Sequence, residues 1–384
     1  MPIRIPRPIP VEIVETKQEY KSSKNALYKD LRDIGFFRLD GEENFLRVRK
    51  CLPTGIAALD LICARDQDGV YGLPFGKQIE ISGKPDSGKT SLLLHIASQA
   101  QRIGHTVCWI ETEDTLSEAR AAVFGTDIEK FMLATPDYLE QALSMIKKIV
   151  LLVPKYDSRE YTPNKGMVII WDSVAATPTK NEFTPKKGKE GEAEFSTSNV
   201  VAEFARIMSQ YERKIKKRIA KRDVLIIYCN QLKDKIGISF GDKTQTYGGH
   251  ALRFHCAIRM KSNYTGKLKS TGGDNKGQTI GITMKLENKK NKCLMPWGIL
   301  EGIEYDFKRG FNIAQGLLYA LEAKGFAKKK GSNYTLEALT DMVEDKKSKK
   351  KKMKKREFTV KTFAKFLEEN PNAASMLMSS INVS

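Results

Sequence analysis

An α/β fold built on a doubly wound, mostly parallel sheet is predicted by three features of this 384-residue chain. From about residue 51 to 305, short apolar runs of β type alternate with amphipathic helical stretches, the alternation that βαβ units require. The runs are QIEIS at 78, TVCWIET at 106, MVIIWDS at 167, DVLIIYCNQ at 223 and AIRMKS at 257. Hydrophobic residues make up 41% of the chain, enough to fill a core at this length. The third feature is a glycine-rich turn placed between the strand at 78 and the apolar helix that follows it.

Three regions are expected along the chain. Residues 1–50 combine a Pro-rich extended start with a helical stretch, Lys24 to Gly35, and look like an assembly arm without a phosphate or metal motif. Residues 51–305 form the core. Within it, about 177–200 and 232–250 are polar, Gly- and Lys-rich and aperiodic, so they read as long loops, which in a compact domain are usually functional. Residues 306–384 form a small C-terminal domain, interrupted by Lys346 to Arg356, where nine of eleven residues are basic.

The formal net charge of +19 favours a polyanionic partner, nucleic acid ahead of an anionic membrane surface. No apolar stretch reaches the roughly 20 residues that span a bilayer, and the start MPIRIPRPIPVE lacks a signal-peptide core, so a cytoplasmic protein is expected. The six cysteines are scattered singly, without a Cys-x-x-Cys pair, and read as reduced core residues.

The turn at 83 is the sharpest signal. Gly83, Lys84, Pro85, Asp86, Ser87, Gly88, Lys89 and Thr90 match the phosphate-binding loop, after a strand and before a helix. Gly83 and Gly88 let the backbone curl so that its N–H groups face phosphate oxygens, Lys89 reaches the β and γ phosphates, and Thr90 takes a place on Mg²⁺. Asp172 ends the strand MVIIW, from which its carboxylate can reach the same ion through water. ATP and Mg²⁺ are therefore the expected cofactors. Hydrolysis needs a group to orient the attacking water, and Glu113 and Glu111 both stand at the end of the strand TVCWIET.

These motifs resemble the bacterial and phage-type RecA family. The resemblance lies in LPTGIAALD at 52, GLPFGKQIEISGKPDSGKTSLLL at 72, WIETED at 109, IIWDSVAATPT at 169, RIMSQ at 206 and NQLKDKIGISFGDKTQTYGGHALRFH at 230. It is dense over about 50 to 310 and extends to NYTLEAL and FAKFLEENPNAA in the tail. The resemblance implies a RecA-type ATPase core and an ATP-dependent DNA recombinase that forms helical filaments on single-stranded DNA and pairs it with duplex DNA. It also implies self-assembly, with single-strand-binding and mediator proteins as further partners.

Carried over by position, the resemblance makes Glu113 the carboxylate that positions water and Gln231 the γ-phosphate sensor at the start of a DNA-binding loop. Lys290 and Lys292 match lysines that reach the ATP of a neighbouring subunit, where cations supplied in trans would neutralise the transferring phosphoryl. Without the resemblance, this lysine-rich run would read as a solvated patch. Arg206 and Arg213, seven apart on one helix face, match arginines on the DNA backbone. Lys233, Lys235 and Lys243 can neutralise phosphates, and Gly248 and Gly249 allow close backbone approach. Val201 and Ile236 fall where the family inserts apolar side chains between bases, and Phe240 is a candidate stacking group.

The chain departs from the family in three places. PKKGKEGE at 185 lengthens the first DNA loop. Arg120 stands where the family stacks a tyrosine on adenine, and its guanidinium plane can also stack on a base. The family's acidic tail has no counterpart before Ser384, so its autoinhibitory role is not expected. The competing readings are a hexameric helicase, which shares the ATPase core but not the run at 230, and a DNA scaffold in which ATP only controls assembly.

Overall fold

A computed structural model of the protein describes residues 26–39, 44, 46–162, 165–183, 200–234, 244–248, 250–270, 272, 276–336 and 356–383. The chain divides into two compact units, Met1–Arg47 and Val48–Ser384. In the first, a helix over 26–33 ends at Gly35, whose φ of +96° supplies the left-handed turn that stops it. Leu27, Ile34, Phe36 and Leu39 are exposed there.

The second unit is organised by one large sheet. Six strands run parallel: β4 (Gln78–Gly83), β5 (Thr106–Glu111), β6 (Phe131–Ala134), β7 (Met167–Asp172), β8 (Val224–Asp234) and β10 (Ile258–Lys269), in the spatial order β10-β4-β8-β7-β5-β6. Beyond β10 the sheet continues antiparallel through β11 (Thr279–Asn291), β12 (Ile299–Asp306) and β13 (Gly310–Phe311). A short β9 (Thr244–Thr246) folds back on the end of β8. Three short strands at the front, β1 (Cys51–Leu52), β2 (Ala64–Arg65) and β3 (Tyr71–Pro74), form a separate small sheet.

The parallel strands are apolar throughout because helices cover both faces. The two-residue period of a strand sends Val168, Ile170, Leu225 and Ile227 to one core and Ile169, Trp171, Ile226 and Tyr228 to the other. Helix α2 (Lys89–Arg102) buries Leu92, Leu93, Leu94 and Ile96 in the first. Helices α4 (Leu139–Leu152) and α5 (Val200–Ile219) cover the second with Leu143, Ile146, Phe204, Met208 and Ile215. Between α2 and α4 in the chain lies the small helix α3 (Glu118–Val123), a five-residue α1 (Ala57–Leu61) precedes them, and a five-residue α6 (Ala251–His255) follows α5.

Downstream, helix α7 (Ile313–Ala323) packs against α1, and Gly316 brings it so near that a Cβ there would sit 3.0 Å from Ile56 Cγ2. The last residues add an antiparallel sheet, β14 (Ala327–Lys330), β15 (Asn333–Leu336) and β16 (Arg356–Phe358), with helices α8 (Val360–Glu369) and α9 (Pro371–Val383). Tyr334, Phe358, Phe363, Phe366 and Leu377 form a third core together with Leu317, Leu318 and Leu321 of α7 and Ala57 of α1. Among the described residues no helix is long and apolar enough to cross a membrane.

One part of the second core is polar. Gln78, Glu80 and Ser82 share the β4 face opposite Ile79 and Ile81, and all three are buried. Under α5, Gln78 Nε2 donates to Glu212 Oε2 at 2.5 Å and Tyr228 Oη donates to Glu212 Oε1 at 2.9 Å. No exposed surface remains on Glu212. Burial raises its carboxyl to about 7. The folded chain thus holds this proton more tightly than the unfolded chain, so the group's stabilising contribution is full in acid and is lost as pH rises through about 7. Glu212→Gln is expected to melt higher than the wild type at pH 8, with the difference shrinking towards zero as pH falls below about 5. Thermal melts across that range check this, and a pH-independent difference would exclude ionisation of Glu212 as its source.

Candidate nucleotide and DNA site

The phosphate-loop residues form the turn from β4 into α2, the first helix to pack on the central strand. Gly83 cannot carry a side chain, since a Cβ would lie 2.6 Å from the Ser262 carbonyl of β10 and collide with Ser87 Oγ. Ser262 Oγ donates to Ser87 O at 2.5 Å and pins the loop from outside. Asp86 and Gly88 have φ of +59° and +80°, the curl that turns successive N–H groups inwards before α2 begins. Lys89 is buried, its Nζ donating to Lys84 O at 2.9 Å across the loop, so its charge lies over the concavity.

Register brings the other groups to the same edge. Glu111 lies opposite Asp172 in the β5–β7 pairing, and Gly83 opposite Gln231 in β4–β8. Thr90 Oγ1 donates to Asp172 Oδ2 at 2.7 Å, closing the gap between α2 and β7. Burial raises the Asp172 carboxyl above the usual carboxylate range, while hydrogen bonds from Cys229 and Thr90 oppose the rise. A hard cation shared between one carboxylate, one hydroxyl and phosphate oxygens fits this pair, because Mg²⁺ keeps waters and needs few protein ligands. Among the described residues no group of three His, Cys, Asp or Glu side chains could hold a metal by itself.

The two candidate carboxylates have different surroundings. Glu111 is buried, and its oxygens accept from the Glu113 backbone N–H at 2.9 Å and from Trp109 Nε1 at 3.0 Å. It shapes the turn after β5. Glu113 Oε1 instead accepts from Gln231 Nε2 at 2.8 Å and from the Ser173 hydroxyl. Ser173 follows Asp172 through a cis peptide. Asp172, Glu113 and Gln231, at neighbouring strand ends, therefore stand on one sheet edge with Lys89 and Thr90 at the start of α2. Arg120 lies half-buried in the first turn of α3, its N–H donating to the capping hydroxyl of Ser117 at 3.3 Å.

Lys290 and Lys292 occupy a different place. They line a cleft with Lys233, Arg253, Arg259 and Lys261 between the end of β11, the β8–β9 ladder and β10. Lys290 Nζ donates to the carbonyls of Arg253 and Phe254 at 2.6 and 3.0 Å. Burial, followed by the nearby charge of Lys292, lowers its pKa to about 8.

Arg206 and Arg213 are exposed on α5. Val201 lies in its first turn. The second loop is anchored at both ends, since Leu232, Lys233 and Asp234 pair with Thr246, Gln245 and Thr244. Lys233 is exposed, its ammonium 4.8 Å from the Tyr247 ring centroid. Tyr247 packs edge-on to Phe204 of α5, and Gly248 (φ +84°) sits so close that a Cβ would lie 2.7 Å from that ring. The base of the second loop is thereby fastened to the helix that follows the first. Lys235, Ile236, Phe240, Lys243 and Gly249 lie outside the described residues, as does the basic run except for Arg356, the first residue of β16.

Sequence reasoning passed over Glu80, Asn230 and Arg259. Glu80 and Asn230 are wholly buried, and Asn230 Nδ2 donates to Glu80 Oε1 at 2.9 Å. The signal was present, because a glutamate between two isoleucines in QIEIS is a charge inside a buried strand.

This geometry is that of an α/β protein whose candidate nucleotide site opens at the carboxyl edge of a parallel sheet. The profile of the RecA N-terminal domain matches residues 27–312. The chain is 34% identical to protein RecA of Aquifex aeolicus (strain VF5) over 288 residues, 74% of this chain and 73% of that one. It is 33% identical to protein RecA of Haemophilus ducreyi over 324 residues, 83% and 78% of the two chains, and 32% identical to that of Mycoplasma genitalium over 300 residues, 78% of each. The chain belongs to the RecA family. Its function is that of a RecA recombinase, acting in DNA recombination and repair, and neither the helicase nor the scaffold reading is favoured.

Overpacking at a rigid turn displaces backbone. Gly83→Ala is expected to weaken binding of a fluorescent ATP analogue by at least about tenfold while the far-UV circular dichroism stays that of the folded chain. Binding at wild-type strength would mean that the loop tolerates a Cβ against Ser262 and Ser87.

Proposed function

We propose that this chain hydrolyses ATP in response to single-stranded DNA and uses the cycle to drive filament assembly, homologous pairing and strand exchange. The observation that carries the proposal is the hydrogen bond from Gln231 to Glu113, because Gln231 lies in β8 just before Leu232–Asp234, the residues that lead into the second DNA loop. Bound ATP with Mg²⁺ supplies the phosphoryl group and neutralises part of its charge. Lys89 holds the β and γ phosphates, and Thr90 and Asp172 hold the ion's protein side. Glu113 orients the attacking water and accepts hydrogen bonds from it. Gln231 keeps that carboxylate engaged until the γ-phosphate draws its amide away, which couples the loop to the nucleotide.

Arg206, Arg213 and Lys233 hold DNA through its phosphates, a contact that is independent of sequence and weakens with salt. Lys290 and Lys292 act on the neighbour's ATP. Cations supplied in trans make hydrolysis depend on assembly.

Single-stranded DNA is expected to raise the ATPase rate strongly, and equal rates with and without DNA would exclude the coupling. Glu113→Gln is expected to lower kcat by about 10²–10⁴-fold while ATP binding persists. A mixture of Lys290→Ala with Glu113→Gln is expected to recover activity at interfaces that pair an intact Glu113 with an intact Lys290. Absence of recovery at every ratio, with co-assembly verified, would exclude a shared site.

The run Lys346 to Arg356 cannot form a core and suits duplex capture for the homology search. Replacing its basic residues by Gln or Ser is expected to weaken duplex binding steeply with salt while single-strand-stimulated ATPase stays near wild type. Paired salt titrations read both, and unchanged duplex affinity or equal loss of both activities would exclude the role.

A further inference from the structure

Glu80 lies three residues before the phosphate loop, in the middle of the central strand, with none of its surface exposed. In register it faces Tyr228 of β8 on one side and Arg259 of β10 on the other. Its two oxygens have separate partners. Oε1 accepts from Asn230 Nδ2 at 2.9 Å, and Oε2 forms an ion pair with Arg259 Nε, whose side chain retains 16% of its exposure.

Both partners continue to the DNA loop. Asn230 Nδ2 also donates to Tyr247 O at 3.0 Å, and Asn230 Oδ1 accepts from the Gln231 backbone N–H at 2.9 Å. Arg259 Nη2 reaches Thr246 Oγ1 at 3.5 Å. The outgoing strand of the loop, its return strand and the sensor residue are thus gathered on one buried carboxylate, and that carboxylate is part of the strand that carries the phosphate loop.

A buried ion pair is seldom the most stable way to fill such a space, since apolar residues of equal volume often serve as well or better. Its distinctive property is directional: two carboxylate oxygens and a planar guanidinium fix several groups at defined positions. We propose that Glu80, through Asn230 and Arg259, is the positioning residue for DNA-coupled hydrolysis. It holds Gln231 and the Thr246–Tyr247 end of the loop as one body, so that DNA seated in the loop moves the Gln231 amide relative to Glu113. This rests on the DNA-stimulated ATPase proposed above. Glu80 touches neither nucleotide nor DNA.

Glu80→Gln alone leaves a partly buried guanidinium without its anion and is prone to misfold. The test therefore uses Glu80→Gln/Arg259→Gln, which removes both charges, and Arg259→Lys, which keeps the charge but loses the fork that spans Glu80 and Thr246. Melting temperature, KM for ATP, single-stranded DNA affinity and kcat with and without DNA are measured beside the wild type. The double variant is expected to melt near the wild type, while the ratio of kcat with DNA to kcat without it falls about tenfold. Arg259→Lys is expected to lose about threefold of the stimulation. Wild-type stimulation in a stable double variant overturns the proposal and makes the pair structural only. Equal loss of kcat with and without DNA, or a raised KM, overturns it in favour of a role in the nucleotide pocket. If the double variant fails to fold, Arg259→Lys decides, full stimulation counting against the proposal. A wild type that DNA does not stimulate overturns the functional reading itself.

Discussion

Parallel pairing of β4, β8, β7 and β5 imposes the geometry on which the site depends. Strands that run in one direction end on one edge, and side chains one pair apart are then brought within hydrogen-bonding reach although they are 60 to 118 residues apart in the chain. Glu113 and Ser173, just beyond β5 and β7, meet Gln231 near the end of β8 in this way. The phosphate loop joins them because β4 lies inside the same block, beside β8. Its tight approach to β10 at Gly83 and Ser262 fixes how far the loop projects, and the Thr90–Asp172 hydrogen bond fixes how α2 leaves it. A side chain at position 83 would disturb every one of these distances together.

The same sheet has a second, less usual property. Parallel sheets covered on both faces normally bury aliphatic residues on both, and one face here does so. The other face of β4 carries Gln78, Glu80 and Ser82, answered by Tyr228 and Asn230 from β8, Arg259 from β10 and Glu212 from α5. Dispersion alone holds a helix over a sheet with some tolerance for sliding, whereas hydrogen bonds to a buried carboxylate do not. Helix α5 carries Arg206 and Arg213 and is fastened through Glu212 to the strands of the phosphate loop and the sensor. The second DNA loop is fastened to those strands through Glu80, and to α5 itself through Phe204, Tyr247 and Gly248. The candidate nucleotide edge and the elements proposed to hold DNA are therefore connected by contacts inside the protein.

Much of this architecture was legible in the sequence, for identifiable reasons. The five apolar runs correspond to β4, β5, β7, β8 and β10 because strands buried on both faces leave an unbroken hydrophobic signature. The phosphate loop was legible because its glycines are required by conformation and contact. The antiparallel extension escaped: β11 and β12 lie where one face meets solvent, and LENKKN and ILEGIEYD mix Lys, Glu and Asn with apolar residues too evenly to stand out. Glu111 and Glu113 could not be separated by position, since both stand at the end of β5. Which oxygens face backbone N–H groups and which face Gln231 is decided by the turn, and that is a matter of three dimensions. Glu80 escaped because its partners are 150 and 179 residues away.

The cationic cleft follows from charge balance within the chain. Lys233, Arg253, Arg259, Lys261, Lys290 and Lys292 converge there, and among the described residues no carboxylate lines it. Arg259 is neutralised from behind by Glu80. Lys290 is met by two backbone carbonyls, which orient an ammonium without cancelling its charge, and burial together with Lys292 lowers its pKa to about 8. Like charges held this close raise the energy of the isolated chain and lower it only when an anion arrives. Glu287 pairs with Lys289 at the cleft's edge and its charge acts on Lys261, so part of the repulsion is relieved within the chain. With no carboxylate among its described lining residues, the cleft is left with an excess of positive charge.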